Sequence, residues 1–215
     1  MDIDTVAPIS LMFQTGYLTV RSVKRRAGFP PIYALVMPNN EVRDAFNRHI
    51  FMSFTETDAN AAQSTQQTML SALESGEPER LETVLNGIFA SIPYEIHIDR
   101  EAYYQSVFYC ITQMLGFRTD AEVSTSRGRI DGVLELPERV YILEFKYRKG
   151  AETDEILREA ASEAMAQIDG RGYAERYAGC GKEVIKAAVG MAGRGAVRVI
   201  CERYVSNPTL YQNPD

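Results

Sequence analysis

Gly128–Lys146 reads GRIDGVLELPERVYILEFK, two apolar runs on either side of Pro137-Glu138. Proline and a polar neighbour between two β-rich runs suit a hairpin turn. If the strands pair about that turn, facing residue numbers sum to 275 and Asp131 lies opposite Glu144. Glu144 and Lys146 are two apart, so they share a face of their strand. The hairpin therefore directs Asp131, Glu144 and Lys146 into one small volume. Two carboxylates held that close repel unless a cation sits between them, which makes this a candidate Mg²⁺ site with a lysine beside it.

The rest of the composition narrows the chemistry. A chain of 215 residues can form one large domain or two small ones. Its 45% hydrophobic and 24% charged content is that of a soluble globular protein. No apolar run approaches the roughly 20 residues of a membrane span, and the N-terminus has no signal-peptide pattern, so a cytoplasmic location is expected. Cys110, Cys180 and Cys201 are widely spaced and odd in number, which suits neither a disulfide framework nor a zinc knuckle. With only His49 and His97 present, chemistry has to run on carboxylates, lysine and tyrosine. A net charge of -6 argues against non-specific coating of nucleic acid. A metal-dependent nuclease remains open, because its site is acidic by necessity.

Upstream, the chain has a different texture. Tyr17–Val20 and Ile32–Met37 read as a hairpin whose turn carries Arg21, Lys24, Arg25 and Arg26, a basic tip that could lie along a phosphate backbone. Asn40 is expected to cap a helix through Val42, Phe46 and Ile50. Helical spacing continues through Leu70, Leu73, Leu81, Val84, Leu85 and Ile88, broken at Ser75-Gly76-Glu77-Pro78. Pro93 marks the expected boundary, giving regions 1–93 and 94–215.

Beyond that boundary the pattern becomes α/β. Asp99 is expected to cap a helix with a buried stripe of Tyr103, Val107, Ile111 and Leu115, ending at Gly116. Strands are expected near 120–124, 128–136 and 139–147. A helix over 154–169 buries Leu157, Ala160, Ala161, Ala164, Met165 and Ile168, and strands at 183–191 and 196–204 follow.

This order, with Asp131 and Glu144-Phe145-Lys146 on a hairpin, resembles the PD-(D/E)XK nuclease superfamily, and more narrowly the branch that follows an AAA-ATPase-like domain in bacterial proteins. The resemblance is carried by Gly128–Asp131, Tyr141–Lys146, and Ala166-Gln167-Ile168 with Tyr173. Leu11–Thr19 and Pro38–Val42 resemble the tail of the ATPase-like portion. Ile130 stands where the superfamily name has proline. No G-x-x-x-x-G-K-[ST] loop exists, since Gly179-Cys180-Gly181-Lys182-Glu183 lacks the first glycine and the hydroxyl residue. ATP hydrolysis by that route is excluded for this chain.

The resemblance implies an α/β fold with a restriction-endonuclease-like core of helix, three strands, helix and two strands, preceded by a small α+β and helical region. It implies Mg²⁺, or Mn²⁺ as a substitute, held by Asp131, Glu144 and the Phe145 carbonyl, with Lys146 positioning water or stabilising charge at phosphorus. Glu101 matches the helical acid that completes such sites, with Glu122 as a fallback, and Gln167 matches the helical polar residue that orients them. Arg129, Tyr147 and Arg148 are candidates for phosphate contact, and Tyr103 and Tyr104 for base stacking. The expected function is hydrolysis of phosphodiester bonds in nucleic acid, DNA foremost; cutting both strands of a duplex would call for two such sites, as in a homodimer. The alternatives are a catalytically silent module that binds nucleic acid or protein, and a regulatory domain of an ATPase.

Overall fold

The computed structural model describes residues 7–93, 95, 98, 100–114, 118–125 and 128–205. The chain divides into two compact units, residues 1–50 and 51–215. In the first, a short helix α1 (Pro8–Gln14) precedes an antiparallel hairpin of β1 (Thr19–Lys24) and β2 (Ile32–Val36). Arg21 and Lys24 belong to β1 rather than to the turn, so the basic tip reduces to Arg25 and Arg26, the latter stacked over Phe29 at 5.0 Å. Helix α2 (Asn40–Thr55) follows. Its first turn is capped by Asn39, whose Oδ1 accepts the Val42 N–H at 2.9 Å, one residue earlier than expected. Tyr17 meets Phe46 edge to face at 5.8 Å.

The second unit is layered. Helices α3 (Ala59–Ser75), α4 (Pro78–Ala90) and α5 (Glu101–Met114) lead into β3 (Arg118–Thr125), β4 (Gly128–Glu135) and β5 (Arg139–Arg148). Helix α6 (Asp154–Gly170) and a short 3-10 helix (Tyr173–Tyr177) then cross to β6 (Glu183–Ala192) and β7 (Ala196–Arg203). The five strands form one sheet in the order β3-β4-β5-β6-β7, antiparallel except for the β5–β6 pair that α6 connects. This is a mixed α/β architecture of restriction-endonuclease-like type. Asp99, Leu115 and Gly116, expected at the ends of α5, lie outside the described residues.

Two cores flank the sheet. Leu81, Leu85 and Phe89 of α4 and Tyr104, Phe108 and Ile111 of α5 pack with Leu143, Phe145, Val189 and Val197. The helices of 51–92, grouped with the N-terminal region in the sequence reading, thus share the core of the sheet. The division of the chain falls at Ile50 rather than near Pro93 because these helices bury their apolar faces there. On the opposite face Ile130, Val133, Val140 and Ile142 meet Ala164, Met165 and Ile168 of α6. That helix, capped by the Thr153 hydroxyl accepting the Ile156 N–H, buries the six residues the 3.6-residue spacing selects. Its small side chains let it settle close to β6, and a Cβ at Gly190 would collide with the Leu157 oxygen and the Ala161 nitrogen.

Candidate functional site

The hairpin pairs in the expected register: Gly132 faces Leu143, Val133 faces Ile142, Leu134 faces Tyr141 and Glu135 faces Val140. One residue further, Asp131 leaves the ladder. Its Oδ2 accepts the backbone N–H of Phe145 at 2.9 Å and the side-chain amide of Gln105 at 3.2 Å. The carboxylate thus takes the place of a ladder carbonyl, which fixes it against β5. Tyr109 secures the same point by donating its hydroxyl to the Asp131 carbonyl. Glycine at 132 makes this possible, since a Cβ there would stand 2.8 Å from the Tyr109 oxygen.

Glu144 points to the other side of β5 from Leu143 and Phe145, together with Val140 and Ile142. It is 1% exposed. Its Oε1 accepts the Gln167 side-chain amide from α6 and lies 3.8 Å from Lys146 Nζ, while its buried Oε2 has no hydrogen-bond partner. Burial, then the negative charge of Asp131, push the Glu144 carboxyl up to about 8, against the pull of Lys146 and of the Asp131 backbone N–H. An unpaired buried carboxylate oxygen is costly, and this one lies beside a second acid.

Glu101 opens α5, where the helix dipole favours an acid. Its Oε2 accepts the Tyr147 backbone N–H at 3.1 Å and its Oε1 the Gln105 amide at 3.5 Å. Burial raises its affinity for a proton, offset by the Tyr147 N–H and by Lys146. Gln105 therefore bridges Glu101 and Asp131 from the middle of α5. Asp131, Glu144, Lys146, Glu101 and Gln167 come together here, and Phe145 takes part through its N–H.

Other expectations fare differently. Tyr103 and Tyr104 are both buried, at 8% and 0% exposure, so neither is free to stack on a base. Tyr104 and Tyr147 are stacked, and both donate their hydroxyls to the Gly193 carbonyl. That occupies the Tyr147 hydroxyl proposed for phosphate. Arg148 pairs with Glu163 and is thereby also committed. Arg129 is exposed at the start of β4. The side chain of Glu122 lies outside the described residues. Sequence reading missed Gln105 and Tyr109, although their signal was present: Glu101, Gln105 and Tyr109 follow one another at i, i+4 and i+8 on one helix face. It also missed Arg171, whose charge acts on both Glu144 and Asp131.

Residues 99–202, which contain every residue of this site, match the family model of the PD-(D/E)XK nuclease superfamily. The mixed α/β fold is consistent with that match. An uncharacterized protein encoded in the 5′ region of vnfD in Azotobacter chroococcum mcd 1 is 31% identical over 188 residues, covering 85% of this chain and 34% of that protein. The chain thus spans about a third of the length of this relative. No solved structure matches the chain significantly. No helix among the described residues is long and apolar enough to cross a membrane.

Proposed function

We propose that the chain hydrolyses phosphodiester bonds of nucleic acid, DNA foremost, with Mg²⁺ or Mn²⁺ held at Asp131 and Glu144. The observation that carries this reading is the unpartnered, buried Oε2 of Glu144 beside Asp131 and Lys146. A hard divalent cation satisfies such an oxygen and offsets the repulsion between the two acids. Among the described residues no three acidic, thiol or imidazole side chains gather into a ready metal cage. The donor set therefore fits Mg²⁺, which keeps several waters and takes one or two carboxylates, better than a zinc-type site. A backbone oxygen such as that of Phe145 would add to it.

When bound, the cation would polarise the phosphate and acidify a water. The chain's own residues supply the rest. Gln167 and Lys146 both act on Oε1 of Glu144, and the Phe145 N–H and Gln105 orient Asp131. Lys146, half-buried, carries the positive charge that would stabilise the negative charge developing at phosphorus. Glu101 holds the end of β5 through the Tyr147 N–H and is linked to Asp131 through Gln105. The association with an ATPase-like domain, suggested by Leu11–Thr19 and Pro38–Val42, belongs to this proposal, as does pairing of two chains to cut both strands of a duplex.

The test is a cleavage panel of plasmid, linear duplex, single-stranded DNA and RNA with Mg²⁺, Mn²⁺ or chelator, comparing wild type with Lys146→Ala and Asp131→Ala. Metal-dependent cleavage by the wild type that both variants lack supports the reading. Equal cleavage by all three would overturn it and assign the activity to a contaminant.

A further inference from the structure

We propose that Arg171 is a phosphate-binding residue at the rim of this site, taking a backbone phosphate of the nucleic acid flanking the one attacked. The proposal deepens the phosphodiesterase reading and rests on it for the substrate class. Arg171 is the first residue after α6 and is exposed, yet it is not a loose surface arginine. Its Nη1 donates to Tyr173 Oη at 2.7 Å, and Tyr173, 1% exposed, in turn donates to the Arg129 carbonyl at 2.6 Å. A buried tyrosine thus anchors the guanidinium, reducing the rotamer entropy that an arginine usually loses on binding.

Gly128 packs its backbone close against this pair. Its φ is +144°, and a Cβ there would stand 2.9 Å from Arg171 Nη1, 3.0 Å from Tyr173 Oη and 3.2 Å from Arg171 Cδ. The start of β4 therefore passes directly beneath the arginine, three residues before Asp131. The guanidinium acts electrostatically on both Asp131 and Glu144. Unlike Arg139, Arg148, Arg198 and Arg203, it makes no ion pair with a described carboxylate. Four of its five N–H donors remain for a ligand among the described residues. An acidic site repels a polyanion, and a fixed cation at its edge that can grip phosphate oxygens in pairs meets that difficulty.

The test uses the full chain and fluorescein-labelled DNA duplex, DNA single strand and RNA single strand in chelator, with anisotropy read across a salt series. Arg171→Gln is expected to weaken binding about 10-fold for the preferred probe and to lower the salt slope by about one. Arg171→Lys should keep the slope while binding more weakly than wild type. Tyr173→Phe, which keeps the ring and removes the anchor, should also keep the slope and lose part of the affinity. Wild-type affinity and slope in Arg171→Gln, or no binding of any probe by the wild type, would overturn the proposal. So would a loss of affinity in Tyr173→Phe without one in Arg171→Gln, which would make Arg171 a brace only. Cleavage by the same protein preparations, with Mn²⁺ in place of chelator, reports separately on the phosphodiesterase reading: its absence with Arg171-dependent binding intact would sink that reading alone.

Discussion

Gln167, one turn from the end of α6, donates its side-chain amide to Oε1 of Glu144 in the middle of β5. The contact joins the crossover helix to the hairpin and leaves Oε2 as the oxygen without a partner. A neutral donor favours the carboxylate without cancelling its charge, so the acid is oriented while still needing a cation. Lys146, 3.8 Å from the same Oε1, adds a weaker pull.

Removing that donor should weaken the metal site more than the fold. Gln167→Ala is expected to bind Mn²⁺ about 10- to 100-fold less tightly, the usual cost of losing a residue that orients a ligand. Isothermal titration at neutral pH reads the affinity directly. A variant that binds Mn²⁺ like the wild type would show that Gln167 does not orient the site.

The position of Glu144 also predicts how stability depends on pH. Its carboxyl rises from 4.5 to about 8 on folding, burial first and Asp131 second. Between those values the folded state holds a proton that the unfolded chain has released, so the metal-free protein loses stability as pH rises from 4.5 towards 8. The slope from this group is at most about 1.4 kcal/mol per pH unit. Urea unfolding in chelator should show that decline, and Glu144→Gln should remove most of it and be the more stable protein at pH 8. In the wild type, Mn²⁺ affinity should climb over the same interval as the cation displaces the proton. A stability profile identical in wild type and Glu144→Gln would mean that Glu144 does not carry the shift.

Asp131 has a structural duty as well as a proposed chemical one, and two substitutions separate them. Asparagine retains an oxygen for the Phe145 N–H, whereas alanine leaves that N–H without its acceptor. Asp131→Asn should unfold close to wild type, and Asp131→Ala should lose about 1 kcal/mol. Both should lack metal-dependent cleavage, because neither offers a second negative ligand. Residual wild-type cleavage in Asp131→Asn would remove Asp131 from the metal site.

Much of this was legible from residue periodicity. The sum-275 register follows from Pro137-Glu138 alone, and the ladder from Gly132 to Glu135 keeps it. The buried stripe of α6 follows from the spacing of alanines and longer apolar residues. The break at Asp131 was not legible, because a side chain that replaces a ladder carbonyl is a tertiary event with no local pattern. Arg171 and Tyr173 lie two apart after a helix end, and nothing in that spacing states that Gly128 must leave room for them. The tyrosine pair misled for a related reason. Tyr103 and Tyr104 are adjacent on α5 and were both candidates for base stacking, although Tyr103 also belonged to the expected buried stripe, but α5 packs on the sheet while Phe54 and Phe89 close on the rings from other helices. Amphipathicity assigns a face; it does not show how many neighbours wrap around it.

The packing of α6 on β6 yields the prediction that couples stability to the site. Gly190 faces Lys146 in the parallel β5–β6 register, and above it runs the main chain of α6. A methyl group at 190 would meet the Leu157 oxygen and the Ala161 nitrogen, with Ala160 Cβ at 3.1 Å. Backbone cannot turn aside as a flexible side chain can, so the helix must lift. Gly190→Ala should therefore cost about 3 kcal/mol, at the upper end for added core volume. The lifted helix carries Gln167 away from Glu144, so Mn²⁺ affinity should fall in the folded fraction as well. Gly170→Ala is the control: it ends the same helix, a Cβ there meets nothing within 4 Å, and alanine favours helix over glycine. Thermal unfolding and Mn²⁺ titration of the two variants side by side test both parts. A Gly190→Ala protein as stable as the wild type would show that α6 does not bear on β6 at this point, and normal Mn²⁺ affinity in a destabilised variant would uncouple the helix from Glu144.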